Sequence, residues 1–332
     1  MDIRASHNVL VTGGTGFIGS HLVESLISDG YPVTCLVRDT GNLRWLKGLS
    51  VRLIEGDCTE PETLPPAVKD ASTVFHLAGL TKARHITDYY RVNHIGTRNI
   101  LRACIRHNPG LRKFIYLSSL AAAGPSNNGT PVRDTDTPHP VSDYGRSKLM
   151  AEEEILNLKD QCPTVIFRPS AVYGPRDRDM YELFRWAARG VTLEIMGGER
   201  FIAPCYVGDL ITVLLLALKK HVPSGSIYFV SEDRYYSWSE FRQLMLLTGQ
   251  VTARNIRIPY AIAYLIGLFS EFVGLVTGKP TITNRQKVRE AIQKYWIGDI
   301  GKIKDDLGFR PVYPLKYGLE KTWKWYRENG WI

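Results

Sequence analysis

The sequence predicts an α/β protein, a doubly wound parallel sheet with helices on both faces, followed by a smaller and mostly helical region. Three observations predict it. Apolar strand-like runs alternate with helical patterns through the first half of the chain, and a glycine-rich turn joins the first run to the first helical pattern. The final third then becomes mostly helical, with neither a linker nor an internal repeat before it. The 332 residues, 44% of them hydrophobic, suffice for one large or two smaller cores.

The elements follow in order. "NVLVTG" is the first strand and residues 17–28 the first helix. "PVTCLVR", "VRLIEGD" and "STVFHLAG" are the next strands, a helix spans 88–107, and "KFIYLSS" is the fifth strand. A helix over 143–158 precedes "PTVIFRPS", and "GSIYFVS" is a further strand. Right-handed βαβ crossovers then place helices on both faces of the sheet. The chain divides into a nucleotide-binding part, 1–170, to which later strands return, and a mainly substrate-binding, helical part, 171–332.

The formal net charge is +9, but no run of four or more Lys or Arg appears. A scattered basic surface is expected, with no nucleic-acid partner, and it is compatible with anionic ligands. The five cysteines are far apart with no CxxC pair, which argues against a zinc site and for a reducing compartment; no metal is expected. Cys35 and Cys205 lie in apolar runs and read as small buried hydrophobes. "MDIRASH" is too short and too polar for a secretory leader, so a cytoplasmic location is expected.

Gly13, Gly16 and Gly19 give GxxGxxG between a strand and a helix. Gly13 permits the tight turn, Gly16 lets the backbone approach a pyrophosphate, and Gly19 lets the helix pack on the strand. The free N–H groups of the helix N-terminus then face the phosphates. Thr15, Phe17 and Ile18 complete this dinucleotide-binding, Rossmann-type loop. At the end of the second strand an acidic residue usually holds the ribose 2′-OH, but here Val37 fills that position and Arg38 follows. An Arg suits a 2′-phosphate, with Arg44 or Lys47 as helpers, and favours NADP(H). Asp39 is adjacent and could contact the 2′-OH, which leaves NAD(H) open.

"YLSS" ends a strand at Ser119, and "YGRSK" puts Tyr144 and Lys148 on one helix face about a turn apart. With the motifs "EGD" at Asp57, "FHLAG", "VNHIGTRNIL", "RPSAVYGP", "YVGDL" and "DIGKIKDDLGFRP", the chain resembles the extended short-chain dehydrogenase/reductases, the NAD-dependent epimerase/dehydratase family, over essentially its whole length. The resemblance implies that Tyr144 is the acid/base, with the Lys148 ammonium favouring its phenolate and holding the nicotinamide ribose. It implies that Ser119, more than its neighbour Ser118, orients the reacting oxygen. It places Asp57 and Cys58 against the adenine, and Leu77, Ala78 and Gly79 along the pyrophosphate and ribose. Thr81, Asn93, Ser118, Pro169 and Val172 match further cofactor-side positions, although Asn93 reads equally as a helix-stabilising residue. It also implies a homodimer through the helices over 88–107 and 143–158.

Three departures narrow the chemistry. Ser119, Leu120 and Ala121 stand where the family's 4,6-dehydratases have Thr-Asp-Glu, so the acid and base for water elimination are missing. Ile202 aligns with the Arg that clamps a nucleotide diphosphate in sugar-nucleotide epimerases; Arg200 is two residues away, and Arg176 and Arg178 are further candidates for gripping a phosphate. Ala123 replaces the usual aromatic of "SSxxxYG" and leaves more room beside the nicotinamide. The third departure is residues 258–278, 21 residues with the single charge Glu271. They read as a buried or interface helix, a lid, or a helix lying in a membrane interface; Glu271 and the glycines argue against a span. A comparable segment occurs in the 3β-hydroxysteroid dehydrogenase-like and sterol-4-carboxylate dehydrogenase-like branch, and Arg38 adds a likeness to dihydroflavonol reductases.

The expected function is hydride transfer between the nicotinamide and a secondary alcohol or ketone on an apolar substrate: sterol-like, isoprenoid or β-keto lipid. The alternatives are a sugar-nucleotide epimerase or reductase, and a non-catalytic cofactor sensor. Ser119, Tyr144 and Lys148 count against the sensor, which needs no proton donor.

Overall fold

The computed structural model describes residues 7–40, 43–277 and 285–332. Seven parallel strands form the main sheet: β1 (Val9–Thr12), β2 (Val33–Val37), β3 (Val51–Glu55), β4 (Thr73–His76), β5 (Lys113–Leu117), β6 (Thr164–Pro169) and β7 (Ser226–Val230). Their order is β7-β6-β5-β4-β1-β2-β3. The direction of winding reverses between β1 and β4, where Val11 lies opposite Cys35 on one side and Phe75 on the other. In such sheets ligands bind at this switch, outside the carboxyl ends of the strands.

Both faces of the sheet are buried, which is why its strands read as continuous apolar runs. The helices against it are α1 (Phe17–Ser28), α2 (Gly96–His107), α3 (Asp143–Asn157) and α4 (Val207–Lys219). Val9 and Val11 face α1 and α4, in one core with Leu22, Val23, Val213 and Leu214. The alternate residues Leu10, Leu36 and Val74 face α2 and α3, in a second core with Ile100, Leu101, Ala151 and Ile155. The five cysteines are all free and buried.

The helix expected over 88–107 is divided. A helical turn at Ile86–Tyr89 is followed by a π-helical stretch, Tyr90–Ile95, before α2 begins. π-Helical turns occur mostly at functional sites, and this one draws Asn93 into the interior, where it is fully buried.

Further helices include α5 (Trp238–Gly249), α6 (Tyr260–Thr277), α7 (Arg285–Ala291) and α8 (Leu315–Glu328), besides the shorter Tyr181–Ala188 and Gly301–Leu307. A third core joins Phe184, Phe241, Met245, Leu319, Trp323 and Tyr326. α6 departs from the buried-helix expectation: Ile262, Leu265, Ile266 and Phe269 are all exposed, Leu265 to 60% and Phe269 to 69%. Its Glu271 is paired with Arg285 at 2.7 Å, so the charge within the apolar run ties α6 to α7. Among the described residues no helix is long and apolar enough to cross a membrane. Gly278, the last residue of the apolar stretch, lies outside the described residues.

Candidate active site

The site forms along the carboxyl edge of the sheet, beginning at the glycine loop. Gly13 has φ +74°, and a Cβ there would lie 2.7 Å from the Ala78 nitrogen. A Cβ on Gly19 would overlap the Gly13 carbonyl oxygen, so α1 can pack on the loop only with glycine there. No side chain caps the first turn of α1. Its N–H groups are left to an anion, as a pyrophosphate cradle needs. Thr15, Phe17 and Ile18 are partly exposed around it and Gly16 is exposed.

A buried chain of hydrogen bonds holds this loop. Thr12 Oγ1 accepts from the Ala78 N–H at 3.2 Å and lies 2.7 Å from His76 Nδ1; His76 Nε2 lies 2.9 Å from Thr97 Oγ1, which donates to the Asn93 carbonyl at 2.6 Å. Because the Thr97 hydrogen is already used, His76 donates through Nε2 and accepts from Thr12 through Nδ1. Burial, with some help from Lys148, pushes the His76 pKa down to about 3, so the ring is neutral.

Arg38 is exposed at the end of β2, near Asp57 and Cys58 at the end of β3. Asp57 Oδ1 accepts from the Thr59 N–H and hydroxyl, and burial, reinforced by Asp57 and opposed by Arg38, pushes the Cys58 thiol up to about 12. Leu77 and Ala78 are partly exposed beyond β4, and Gly79 and Thr81 are exposed. Pro169 ends β6, and Val172 pairs with Cys205 just beyond it.

Asn93 does not face outward. Its Oδ1 accepts from the Leu80 N–H at 2.7 Å, and its Nδ2 donates to the Leu80 carbonyl at 3.1 Å and to Ser147 Oγ at 3.0 Å. Asn93 is therefore a clamp between the loop after β4 and α3, which favours the helix-stabilising alternative. The Ser118 hydroxyl is also spent internally, on Glu152, which receives Arg168 through Nε at 3.1 Å and Nη2 at 2.6 Å. Only the backbone of Ser118 is left to line a cofactor.

Ser119, Tyr144 and Lys148 converge. Ser119 caps the short helix Leu120–Ala123, accepting from the Ala121 N–H at 3.1 Å, and its side chain faces the Tyr144 phenol. Lys148 is buried, donates to the Leu117 carbonyl at 2.7 Å and lies 4.6 Å from the Tyr116 ring centroid. A Cβ on Gly79 would be 3.4 Å from its Nζ, so the lysine borders the cofactor strip. Burial lowers its pKa to about 8 against the pull of Glu152.

The structure adds a neighbour that the motif does not supply. Burial raises the Tyr144 pKa to about 12; Ser119 and Lys287 pull it down, while Glu290 and Asp179 push it up. The cation facing the phenol is thus Lys287 of α7, with Nζ 5.4 Å from the ring centroid, whereas the Lys148 ammonium is directed at Leu117 and Tyr116. Nothing local in the sequence marks Lys287, because it reaches Tyr144 from the far end of the chain.

The other departures also have structural outcomes. Ile202 is buried in the third core, paired with Tyr236 and Trp296. Arg200 donates to the carbonyls of Ile195 at 2.6 Å and Met196 at 3.1 Å. Arg176 is held by Glu24 at 2.6 Å and Ser20 at 3.1 Å. Arg178 is exposed beside Trp331. Ala123 is buried in the first core, not exposed to a widened pocket.

A glycine cradle on a parallel sheet, with Ser, Tyr and Lys gathered at its carboxyl edge, defines an extended short-chain dehydrogenase/reductase. The chain belongs to the NAD-dependent epimerase/dehydratase family, whose model matches residues 9–231. It is 30% identical to the ceramide reductase of Caulobacter vibrioides, over 98% of this chain and 96% of that one. It is 28% identical to the sterol-4-alpha-carboxylate 3-dehydrogenase ERG26, decarboxylating, of Candida albicans, over 97% and 98%. Among solved structures it resembles MoeE5 in complex with UDP-glucuronic acid and NAD, with 25% identity, a TM-score of 0.77, and coverage of 97% of this chain and 99% of that one.

Proposed function

We propose that this enzyme transfers hydride between NADP(H), or less favourably NAD(H), and a secondary alcohol or ketone on an apolar substrate: a sterol-like, isoprenoid or β-keto lipid. The observation that carries the substrate class is the fate of the diphosphate clamp. Ile202 is core, and Arg200 is bonded to two backbone carbonyls. Freeing Arg200 would break both bonds; the one to Ile195 is partly buried and the one to Met196 is open to water, so the cost is about 1 kcal/mol. The similarity to a ceramide reductase and to a sterol-4-alpha-carboxylate 3-dehydrogenase lends support, as does the exposed apolar face of α6. Arg254 and Arg257 are exposed just ahead of that face, and the two together suit peripheral contact with a membrane. α2 and α3 are the proposed homodimer face.

The site fits the cofactor. The α1 N-terminus and Gly13, Thr15, Gly16, Phe17, Ile18 and Gly19 would hold the pyrophosphate, Asp57 and Cys58 the adenine, and Arg38 a 2′-phosphate. Leu77, Ala78, Gly79 and Thr81 would follow the chain of the dinucleotide, with the Ser118 backbone, Pro169 and Val172 near the nicotinamide. When bound, the nicotinamide supplies the hydride donor or acceptor. Tyr144 gives its phenolic proton to the oxygen of a ketone in reduction, and its phenolate takes the alcohol proton in oxidation. Ser119 accepts from Ala121, which leaves its own hydrogen to donate to the substrate oxygen. Lys148 would hold the nicotinamide ribose, and it loses its own charge as pH rises through about 8.

The likeness to MoeE5, whose structure holds UDP-glucuronic acid and NAD, favours a second reading, a sugar-nucleotide epimerase or reductase. A thermal-shift and turnover screen of the cofactor-loaded protein separates the two. Ketone forms of sterol and β-keto lipids should stabilise it and oxidise the reduced nicotinamide. Tyr144→Phe should lower that turnover by about 10²-fold or more while cofactor binding persists. Stabilisation by sugar nucleotides alone, abolished in Arg200→Ala, would replace this reading with the epimerase.

A further inference from the structure

One lysine approaches Tyr144 from outside its own helix. Lys287 is delivered by α7, which is fastened to the N-terminus of α3 by specific bonds. The Asp143 N–H donates to Gln286 Oε1 at 2.6 Å, and the Ser142 hydroxyl donates to Glu290 Oε1 at 2.5 Å. Ser142 is itself the cap of α3, accepting from the Gly145 N–H at 3.1 Å. The other Glu290 oxygen accepts from Lys287 Nζ at 2.8 Å, and the Glu290 carbonyl accepts from Trp296 Nε1 at 2.9 Å. Glu290 therefore joins the cap of the catalytic helix to the lysine above the catalytic ring.

We infer that Lys287 is a positioning residue for the reaction: an ammonium from the C-terminal region that stabilises the Tyr144 phenolate, with Glu290 setting how strongly. This rests on the reading of Tyr144 as acid/base. Lys287 adds to the charge that α3 supplies through Lys148, whose ammonium also donates to the Leu117 carbonyl and lies 4.6 Å from the Tyr116 ring centroid. The Lys287 ammonium stands 5.4 Å from the Tyr144 ring centroid. A unit charge about 6 Å from a phenolate couples to it by about two pH units at an effective dielectric near 20, and the opposing Glu290 carboxylate reduces this to about one.

The other groups around the phenol are accounted for. Ser119 faces it from the helix Leu120–Ala123, the Tyr89 ring from the turn before the π-helical stretch, and the Tyr116 phenol from β5. Asp179 faces it from the loop after β6 and is paired with Lys82. On α3 itself, Asp143 is held by Tyr90 and Arg146. None of these side chains is itself replaced by substitutions at 287 and 290, and Asp179, which also faces Lys287, keeps its pairing with Lys82.

The test is titration of Tyr144 in the complex with oxidised dinucleotide, by carbon-13 NMR of protein labelled at the tyrosine ζ carbon. The resonance is assigned by its loss in Tyr144→Phe. Glu290→Gln should lower the Tyr144 pKa by about one unit. Adding Lys287→Met should raise it back by about one unit or more, whereas adding Lys287→Arg should leave it low. Equal titration in the Met and Arg double variants, or no movement in Glu290→Gln, overturns the inference. The readout needs no substrate, so it stands apart from the substrate class. Failure of the Tyr144 assignment shows separately, as turnover retained in Tyr144→Phe.

Discussion

Helices α1 and α6 dispose of their apolar side chains in opposite ways. α1 buries Leu22, Val23 and Leu26 against the sheet and leaves its N-terminal amides uncapped. α6 keeps Ile262, Leu265, Ile266 and Phe269 exposed and spends its carboxylate on Arg285. The first builds a site by bringing backbone against backbone, so its shape is fixed before anything binds. The second leaves its apolar surface open. A rigid loop suits a ligand of constant shape such as a dinucleotide, and an open apolar face suits an apolar ligand or a lipid surface whose outline varies.

The contrast can be broken at either end. The largest effect is expected from Gly19→Val, whose side chain has no space beside the Gly13 carbonyl. It should cost about 3 kcal/mol of stability and weaken dinucleotide binding more than 10²-fold, read by melting and by cofactor fluorescence. Unchanged binding would mean that the loop is not rigid. Next is the double variant Leu265→Asp and Phe269→Asp. Removing two apolar side chains from an interface should weaken binding to anionic phospholipid vesicles by about 10²-fold in a flotation assay, with the melting temperature unchanged. A large fall in melting temperature would instead show that α6 is packed, and the contrast with α1 would collapse. The smallest effect is expected from Arg38→Ala. The ratio of NADPH to NADH affinity should fall by roughly tenfold, the low end for a charge-assisted contact because Arg38 is exposed. Equal affinities in the parent protein would remove the 2′-phosphate from the account.

The same contrast explains how far the sequence could be read. α1 is legible to the residue and β1 to within one residue at each end, because a glycine knot separates a fully buried strand from a helix and each signal is local. The dyad spacing likewise put Tyr144 and Lys148 on one face of α3, but spacing carries no information about what an ammonium bonds to. The pairing of Lys148 with Leu117, and of Lys287 with the phenol, is a fact of tertiary structure. Asn93 was ambiguous because its position in the chain is the same whether it points outward or clamps Leu80; the π-helical stretch decides it. The apolar run over 258–278 gave no direction because hydrophobicity does not say whether a face meets a core, a ligand or a lipid.

The position of β7 in the chain has a consequence for synthesis. β6 ends at Pro169 and its outer neighbour begins only at Ser226, with α4, which covers one face of the sheet, lying between them. At about 5–20 residues per second, a ribosome leaves that edge open for roughly 3–11 s. During this time Val165–Phe167 present unpaired backbone, the kind of edge that recruits other strands. The main sheet carries its glycine loop first but is closed only by residues made much later.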